Sequence, residues 1–274
     1  MDMLKRSFNF YLNSSIHVAF AALALVWVTL IELDLLIDKH LLGFVFCATI
    51  TGYNFVKYFG VAKFHHRSLA SWLRVIQIFS LLAFTAMCYF AFFLEVQTLI
   101  LTGILGIITF FYAIPIMIPK QYLFDDHKNL RQIGGIKVYV IALVWTFASV
   151  FSPVVNNEIP IDTEIVVLGV QRFFFILVLM LPFEIRDLNY DSLKLATIPQ
   201  KIGIKKTKIF GVLLLLLFVM LDGLKEETKL TTILIALISG VLLFFSNKDQ
   251  SKYYSPFWVE SVPILWLISL LLFG

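Results

Sequence analysis

The sequence predicts an all-α, polytopic membrane protein with about nine transmembrane helices. Apolar residues make up 60% of the 274 residues, 28 residues are Phe, and only 15% are charged. A soluble domain of this length would normally carry more charge and fewer apolar residues. The apolar residues also fall into nine runs that are long enough, or nearly long enough, to cross a bilayer.

The nine predicted spans follow one another without a Pro-rich, Gly/Ser-rich or charged linker and without an internal repeat, so residues 1–274 are predicted to form a single transmembrane domain. A span needs roughly 17 to 25 apolar residues, and the last three lie at the short end of this range. The spans cover residues 14–33, 40–60, 72–94, 97–118, 136–153, 164–186, 208–223, 230–246 and 257–273.

The distribution of positive charge predicts the orientation of the chain. With nine spans, the N-terminal tail and every second loop share one side, and most of the 22 Lys and Arg residues fall on that side. Only Lys39, Lys225 and Lys229 lie in loops of the other side. Because cytoplasmic loops carry the excess of Lys and Arg, the N-terminus and the basic loops are predicted to be cytoplasmic. Cations spread over short loops favour contact with anionic membrane lipid and disfavour nucleic-acid binding.

Three carboxylates lie together where the sixth predicted span ends. Glu184, Asp187 and Asp191 are spaced by three and four residues, so they share one face of a helix, and Lys194 continues that face. Like charges at a membrane boundary repel one another, and Mg²⁺ shared between their oxygens would relieve this repulsion. The alternative is a solvated helix end with Arg186 and Lys194 as counter-ions. The spacing alone leaves both interpretations open.

The surrounding residues resemble a known family motif. The stretch "EIRDLNYDSLKLATIPQKIG" is similar to the second aspartate-rich motif of the UbiA superfamily of intramembrane prenyltransferases. That motif reads acid-x-x-Asp-x-x-x-Asp, followed by Thr-hydrophobic-Pro and Lys-hydrophobic-Gly. The matching residues here are Glu184, Asp187, Asp191, Thr197, Ile198, Pro199, Lys201, Ile202 and Gly203.

The resemblance extends over most of the chain. The loop between the fourth and fifth predicted spans has Tyr112 and Pro115 near its start and continues into "LRQIGGIKVYVIALVW", residues 130–145, where Lys137 precedes the next span. The family's architecture has nine spans, and its functional loops connect spans two and three, four and five, and six and seven. The spans predicted here match that architecture. The resemblance therefore implies helices arranged around a central cavity.

The family's first aspartate-rich motif is degenerate in this chain. It should follow the second span, where the sequence reads "GYNFVKYFGVAKFHH", residues 52–66. Asn54 matches the family's asparagine, but Phe55, Tyr58 and Ala62 occupy the three aspartate positions. Lys57 lies on the same helical face as Asn54 and could neutralise diphosphate charge in place of a metal ion. Alternatively, the cations of this segment only follow the positive-inside rule.

The resemblance implies a Mg²⁺-dependent transfer of a prenyl group from a prenyl diphosphate to an unidentified lipophilic acceptor. With the first motif degenerate, it leaves a single Mg²⁺ site, formed by Asp187 and Asp191 with Glu184 as a third or outer ligand. Lys57 would join the two aspartates as a catalytic residue. The residues expected to bind substrate are Asn54, Tyr58, Arg131, Lys137 and Lys194.

Two other functions stay open. A close derivative such as a membrane terpene cyclase would use the same site. A family member that has lost catalysis would instead bind an isoprenoid or a quinone, or act as a scaffold for a partner enzyme, and the degenerate first motif motivates this alternative. A transporter has less support, because the ionisable groups cluster at one interface. No motif encodes the acceptor, the prenyl chain length or the oligomeric state.

Isolated polar and aromatic residues inside the spans need separate interpretation. His17 and Glu260 are functional candidates because ionisable groups are costly in a membrane, although a neighbouring helix can also satisfy such a group. Arg172 is expected near the outer leaflet, where it would snorkel or pair with an acid of an outer loop. The aromatic run at residues 173–175 either lines an isoprenoid tunnel or packs towards lipid, and packing is the more common role.

Overall fold

The computed structural model describes residues 2–64, 71–114, 135–189, 196–224 and 229–273. Within these ranges the chain contains helices and no strand, which confirms the predicted all-α fold class. The first helices are α1 (Asp2–Asn13), α2 (Ile16–Glu32), α3 (Lys39–Phe64), α4 (Ser71–Ala91) and α5 (Val96–Ala113). They are followed by α6 (Lys137–Thr146), a first π-helical segment (Phe147–Phe151), α7 (Ser152–Asn156), α8 (Thr163–Asp187), α9 (Ile198–Asp222), α10 (Leu230–Phe245), a second π-helical segment (Tyr254–Val259) and α11 (Val262–Phe273).

Each predicted span coincides with one helix or with a run of consecutive helices. Five stretches of the described chain are long and apolar enough to cross a membrane, and a sixth is added if α1 and α2, bent by 52°, count as one. These five are Leu73–Ala91, Val96–Ala113, Lys137–Asn156, Thr163–Asp187 and Tyr254–Phe273. The protein is therefore an integral, multi-pass membrane protein, while the count of nine spans and their orientation stay predictions.

The structure differs from the sequence prediction at two helix boundaries. Helix α1 precedes the first predicted span, and its exposed Met3 and Leu4 show that it is not a buried apolar helix. Helix α9 begins at Ile198, well before the apolar run at residues 208–223. Pro199 in the first turn and the Gln200 side chain, which accepts a hydrogen bond from the Thr197 amide at 3.0 Å, start this helix in a polar segment. A search for runs of apolar residues does not detect a helix that begins in a polar segment.

Helix α8 lies at the centre of the bundle, packed against α6, α9 and α10. Its Phe175 is fully buried, stacks on Phe218 of α9 at 5.3 Å and meets the ring of Trp266 of α11 at 5.0 Å. Phe173 and Phe174 are partly buried against the same apolar cluster. The aromatic run of α8 therefore contributes to packing between helices.

One ion pair lies inside the bundle, towards the end of α2. The Nη2 atom of Arg172 lies 3.0 Å from Oε2 of Glu32 and 3.3 Å from the hydroxyl of Thr29. The guanidinium group also stacks over the ring of Trp266 at 4.5 Å. The side chains of Arg172 and Glu32 are 0% and 5% exposed, respectively. Arg172 thus pairs with an acid of the second helix, as one of the two sequence interpretations predicted.

We predict that Arg172→Ala lowers the free energy of unfolding by about 3–5 kcal/mol, because Glu32 is left buried without its counter-charge. The double variant Arg172→Met with Glu32→Met removes both charges and is expected to recover most of this loss. SDS titration in mixed micelles, followed by circular dichroism, measures both values. A single variant as stable as the wild type would contradict the prediction.

Candidate active site

Asp187 joins the end of α8 to the start of α6. Its Oδ1 atom accepts a hydrogen bond from Nε of Arg186 at 2.8 Å, and its Oδ2 atom lies 3.8 Å from Nζ of Lys137. The Asp187 side chain is 21% exposed, so the carboxylate is accessible. Two residues that the sequence assigned to different roles, a metal ligand and a phosphate contact, therefore lie next to each other.

Gly135 brings the segment before α6 against the segment before α9. It adopts a left-handed conformation with φ 78°, which favours glycine. A Cβ atom at this position would lie 3.4 Å from the carbonyl oxygen of Ala196 and 3.2 Å from Nζ of Lys201. Close approach at Gly135 thus joins the two loops that carry the family-like motifs.

Glu184 is buried between α8 and α9. The residue is 4% exposed, and its Oε2 atom accepts a hydrogen bond from the backbone amide of Ile198 at 3.2 Å. This contact fixes the start of α9 against the last turns of α8 and satisfies one amide of a helix N-terminus. The geometry gives Glu184 an anchoring function in addition to its predicted function as a metal ligand. Asp191, Lys194 and Arg131 lie outside the described residues.

The donor chemistry of this region fits Mg²⁺. Magnesium ions use oxygen ligands and are commonly held by one or two carboxylates together with water and substrate phosphates. Asp187 offers accessible carboxylate oxygens, and Asp191 follows four residues later in the sequence motif. Among the described residues, which exclude Asp191, no three His, Cys, Asp or Glu side chains form a group that could hold a metal ion. A site built from Asp187, Asp191 and phosphate oxygens needs no such group.

Asn54 of α3 binds the turn between α1 and α2. Its Oδ1 atom accepts a hydrogen bond from the Ser15 hydroxyl at 2.8 Å. Its Nδ2 atom donates to the carbonyl oxygen of Ser14 at 3.1 Å and to the Ser80 hydroxyl at 2.8 Å. At 4% exposure, Asn54 is buried by these contacts. The asparagine that matches the family motif therefore joins α3, α4 and the α1–α2 turn.

Lys57 and Tyr58 bind the same turn. Nζ of Lys57 donates to the Ser15 hydroxyl at 2.9 Å and approaches the carbonyl oxygen of Leu12 at 3.4 Å. The Tyr58 hydroxyl donates to the carbonyl oxygen of Asn13 at 2.8 Å. Ser15 has φ 63°, a left-handed conformation that is uncommon for a residue other than glycine. The polar residues of α3 thus stabilise a turn whose left-handed backbone conformation at Ser15 is energetically unfavourable.

Lys57 also lines a cavity of about 370 Å³ between α3, α5 and α6. Tyr53, Tyr112 and Trp145 line the same cavity, and Nε1 of Trp145 donates a hydrogen bond to the Tyr53 hydroxyl at 2.9 Å. Val140, one turn after Lys137, forms part of its wall. Helix α6 therefore runs from the Asp187 cluster along the cavity that Lys57 faces.

The carboxylate of Glu260, in the last helical stretch of the chain, interacts electrostatically with residues of this region. It directly follows the second π-helical segment, and its electrostatic neighbours include Lys57 and Arg186. Glu260 and Trp145 line a small void beside α8. Glu260 thus interacts electrostatically with cations of both α3 and α8. In the sequence, Glu260 was a functional candidate because it is an ionisable residue within a predicted span; it belongs to no motif.

His17 is held by helix packing. Its Nδ1 atom lies 2.8 Å from the Tyr11 hydroxyl, and its Nε2 atom lies 3.0 Å from the carbonyl oxygen of Phe257 and 3.2 Å from the Ser261 hydroxyl. These contacts join α1 and α2 to the second π-helical segment and to Ser261, directly before α11. The geometry agrees with the interpretation that neighbouring helices supply the hydrogen-bond partners of the His17 side chain.

Two solved structures share this arrangement of helices. The apo structure of a UbiA homologue from Aeropyrum pernix K1 matches with a TM-score of 0.65 and 14% identity, over 94% of this chain and 98% of that chain. The chain has the UbiA fold. A structure of digeranylgeranylglyceryl phosphate synthase matches with a TM-score of 0.56 and 18% identity, over 98% of each chain. No protein-family model and no curated protein matches the sequence.

The UbiA fold explains why stretches far apart in the sequence meet at one end of the bundle. In this fold the start of α6 meets the end of α8 at Lys137 and Asp187, and the following turns of α6 line a cavity together with Lys57 of α3. Tyr53 and Trp145, which bond to each other in the cavity wall, had no motif to mark them. Tyr53 directly precedes the motif asparagine. This position in the degenerate motif is the one sequence feature that could have identified Tyr53 as part of the site.

We predict that Asn54→Ala loosens the α1–α2 turn in this UbiA fold. The variant leaves the Ser14 carbonyl and the Ser15 hydroxyl without their amide partner, a loss of about 1–3 kcal/mol. Deuterium exchange of the amides of residues 10–15 should become faster in the variant. The control is Thr85→Ala, which removes only a hydroxyl bond to Leu81 within α4. Equal exchange in both variants would contradict the prediction.

Proposed function

We propose that this chain is a member of the UbiA superfamily and acts as an integral membrane prenyltransferase. In this proposal it transfers a prenyl group from a prenyl diphosphate to a lipophilic acceptor, with Mg²⁺ as cofactor. The observation that carries the proposal is the contact of Asp187 with Arg186 and with Lys137 at the start of α6, the helix that from Val140 onwards lines the same cavity as Lys57. This arrangement combines cations for a phosphate group with an apolar space for a hydrocarbon chain.

The reaction requires that charge developing on the leaving diphosphate be stabilised in a water-poor site. Lys137 and Arg186 lie beside Asp187 and can bind phosphate oxygens, and Arg131 and Lys194 are proposed to join them. Asp187 and Asp191, with Glu184 as a third or outer ligand, would hold the metal ion. A bound Mg²⁺ would supply Lewis-acid stabilisation of the phosphoryl oxygens.

Lys57 is proposed to neutralise phosphate charge on the side of the cavity where the family's first motif would lie. A lysine ammonium is a compact point charge that needs no metal ion to act on an anion. Asn54 and Tyr58, proposed as substrate-binding residues, flank Lys57 and hold the α1–α2 turn against it. The position of the Lys57 ammonium therefore depends on both residues.

The aromatic wall of the cavity suits an allylic cation. Cleavage of the carbon–oxygen bond to diphosphate leaves positive charge on the prenyl group, which the acceptor then attacks. The rings of Tyr53, Tyr112 and Trp145 line the cavity, and aromatic faces attract cations. The same rings exclude water, which would otherwise capture the cation as an alcohol.

We predict that Asp187→Asn reduces diphosphate release by at least about 100-fold, because the metal-binding charge is lost. Membranes containing the protein are incubated with labelled prenyl diphosphates, Mg²⁺ and candidate lipophilic acceptors. Asp34→Asn, an exposed acid after α2, is the control and should leave turnover unchanged. If the wild type releases no diphosphate under any condition, or if Asp187→Asn is fully active, the enzyme proposal is wrong.

We predict that Lys57→Gln weakens use of the prenyl diphosphate and raises its KM by about 10- to 100-fold, as expected for loss of one charged hydrogen bond. Lys248→Ala, a cation of an exposed loop, serves as the control and should leave KM unchanged. An unchanged KM in Lys57→Gln would show that the ammonium acts only on the α1–α2 turn.

A second candidate function is a member of the superfamily that has lost catalysis and binds an isoprenoid or quinone, or serves as a scaffold. The contacts of Asn54, Lys57 and Tyr58 with the α1–α2 turn favour it, because these residues have a structural function where the family has metal ligands. Prenyl-lipid binding that survives EDTA, together with no turnover, would support this function. Strict dependence of turnover on Mg²⁺ would exclude it.

A further inference from the structure

Glu260 places a carboxylate in the interior of the bundle. The residue is half-buried, and among the ranges that the structure describes its side chain forms neither a hydrogen bond nor an ion pair. An ionisable group without a direct partner is costly in a membrane domain, so such residues commonly have a function. The electrostatic neighbours of Glu260 are Lys57 and Arg186, two of the cations proposed to bind phosphate.

The second π-helical segment fixes the position of Glu260. The amide of Glu260 donates to the carbonyl oxygen of Ser255, five residues earlier, at 3.2 Å, which is the hydrogen bond of a π-helix. The side chain of Gln250 joins this segment to α8 by donating to the carbonyl oxygen of Pro182 at 3.2 Å. His17 of α2 contacts a carbonyl oxygen of the same segment at 3.0 Å. Glu260 therefore extends from a rare backbone conformation that two other helices hold in place.

On one side, an aromatic ring connects Glu260 to Arg186. Phe183 of α8 lines the small void of about 20 Å³ that Glu260 also lines. The guanidinium group of Arg186 lies 5.3 Å from the centre of the Phe183 ring. Arg186 has Asp187 as a direct partner at 2.8 Å, so it acts on Glu260 through space.

On the other side, Trp145 connects Glu260 to Lys57. Trp145 lines both the void beside Glu260 and the cavity that Lys57 lines. Nζ of Lys57 lies 6.0 Å from the ring centre of Tyr53, whose hydroxyl accepts the hydrogen bond of Trp145. Glu260 is also an electrostatic neighbour of Tyr53. The carboxylate of Glu260 therefore lies between two cations that belong to different helices.

These charges interact in surroundings that screen them weakly. The Lys57 cavity shares Tyr53 and Trp145 with a larger cavity of about 610 Å³ between α3, α4 and α5, which has a largely apolar lining that includes Gly103. Charges near such an interior interact about fourfold more strongly than in water. An anion bound at Lys57 is therefore repelled by the carboxylate of Glu260.

From these observations we infer that Glu260 is the internal counter-charge of the phosphate site and lowers its affinity for diphosphate, so that this product can leave. In the empty site the carboxylate balances Lys57 and Arg186, and a bound anion competes with it for both cations. Diphosphate held as tightly after cleavage as before would be released slowly. Because Glu260 acts through the two cations, it is a positioning residue. The identity of the anion as a diphosphate rests on the proposed function; the counter-charge rests on the position of Glu260.

The first experiment measures equilibrium binding to the protein in nanodiscs at constant Mg²⁺ and about pH 8.5, where a carboxylate is ionised. The probes are geranylgeranyl thiodiphosphate, which resists ionisation, geranylgeranyl monophosphate and uncharged geranylgeraniol. Glu260→Gln should bind the thiodiphosphate about 10-fold more tightly, the monophosphate with a smaller gain and geranylgeraniol with unchanged affinity. Unchanged geranylgeraniol binding also shows that the variant is folded.

Two control variants test whether charge at this position is the cause. Glu260→Asp keeps the charge and should bind all three probes like the wild type. Asp249→Asn removes an exposed acid before the same π-helical segment, where water and salt screen the charge, and should also leave affinity unchanged. Three results would overturn the inference: thiodiphosphate affinity in Glu260→Gln that is unchanged or weaker, an equal gain for all three probes, or no saturable binding of thiodiphosphate to the wild type.

The second experiment measures release directly. Labelled inorganic diphosphate is bound to the protein and chased with an excess of unlabelled diphosphate, and it should dissociate about 10-fold more slowly from Glu260→Gln than from the wild type. Equal dissociation rates would overturn the inference, even in an active enzyme. Neither experiment requires turnover. An inactive protein in which Glu260→Gln slows release would contradict the proposed enzyme and leave the counter-charge standing.

Discussion

The contacts of Asp187 with Lys137 and Arg186 are the interaction on which the rest of this site depends. A carboxylate at the end of a membrane helix is poorly solvated, so it requires cations from its surroundings. Arg186 comes from the same helix, but Lys137 comes from α6, and its approach brings the loop before α6 to the end of α8. The cavity wall on α6 begins one turn beyond that contact. Charge compensation at Asp187 therefore holds the start of α6, one turn before the cavity wall, against the end of α8.

The other side of the site follows a different constraint. Helix α3 carries no acid at the positions that resemble the first aspartate motif, and its polar residues bind the α1–α2 turn instead. Ser15 in this turn has a positive φ, and such a conformation persists when surrounding contacts determine it. Lys57 contributes to the turn and lines the cavity, so one ammonium group joins the turn to the candidate site.

The fold and part of the site could be predicted from the sequence because their signals are local. Apolar runs gave the helices, and the spacing of Glu184 and Asp187 placed both on the side of α8 that meets neighbouring segments. The start of α9 was missed because it depends on a capping arrangement in a polar segment. The cavity between α3, α4 and α5 was missed because it forms where small residues, such as Gly103, leave space between neighbouring helices. No single-helix pattern distinguishes a glycine that opens space from one that permits close packing.

The charge of the α3 side bears on the proposal that the site holds a single metal ion. In the family motif that α3 resembles, three aspartates and one Mg²⁺ sum to one negative charge. Here Lys57 and neutral side chains at Phe55, Tyr58 and Ala62 sum to one positive charge. Glu260, an electrostatic neighbour of Lys57, offsets part of this positive charge, so the α3 side has no excess of negative charge that a metal ion would have to compensate. A lysine cannot bridge phosphate oxygens in fixed geometry, so in the proposed function a metal ion held by Asp187 and Asp191 would supply this contact.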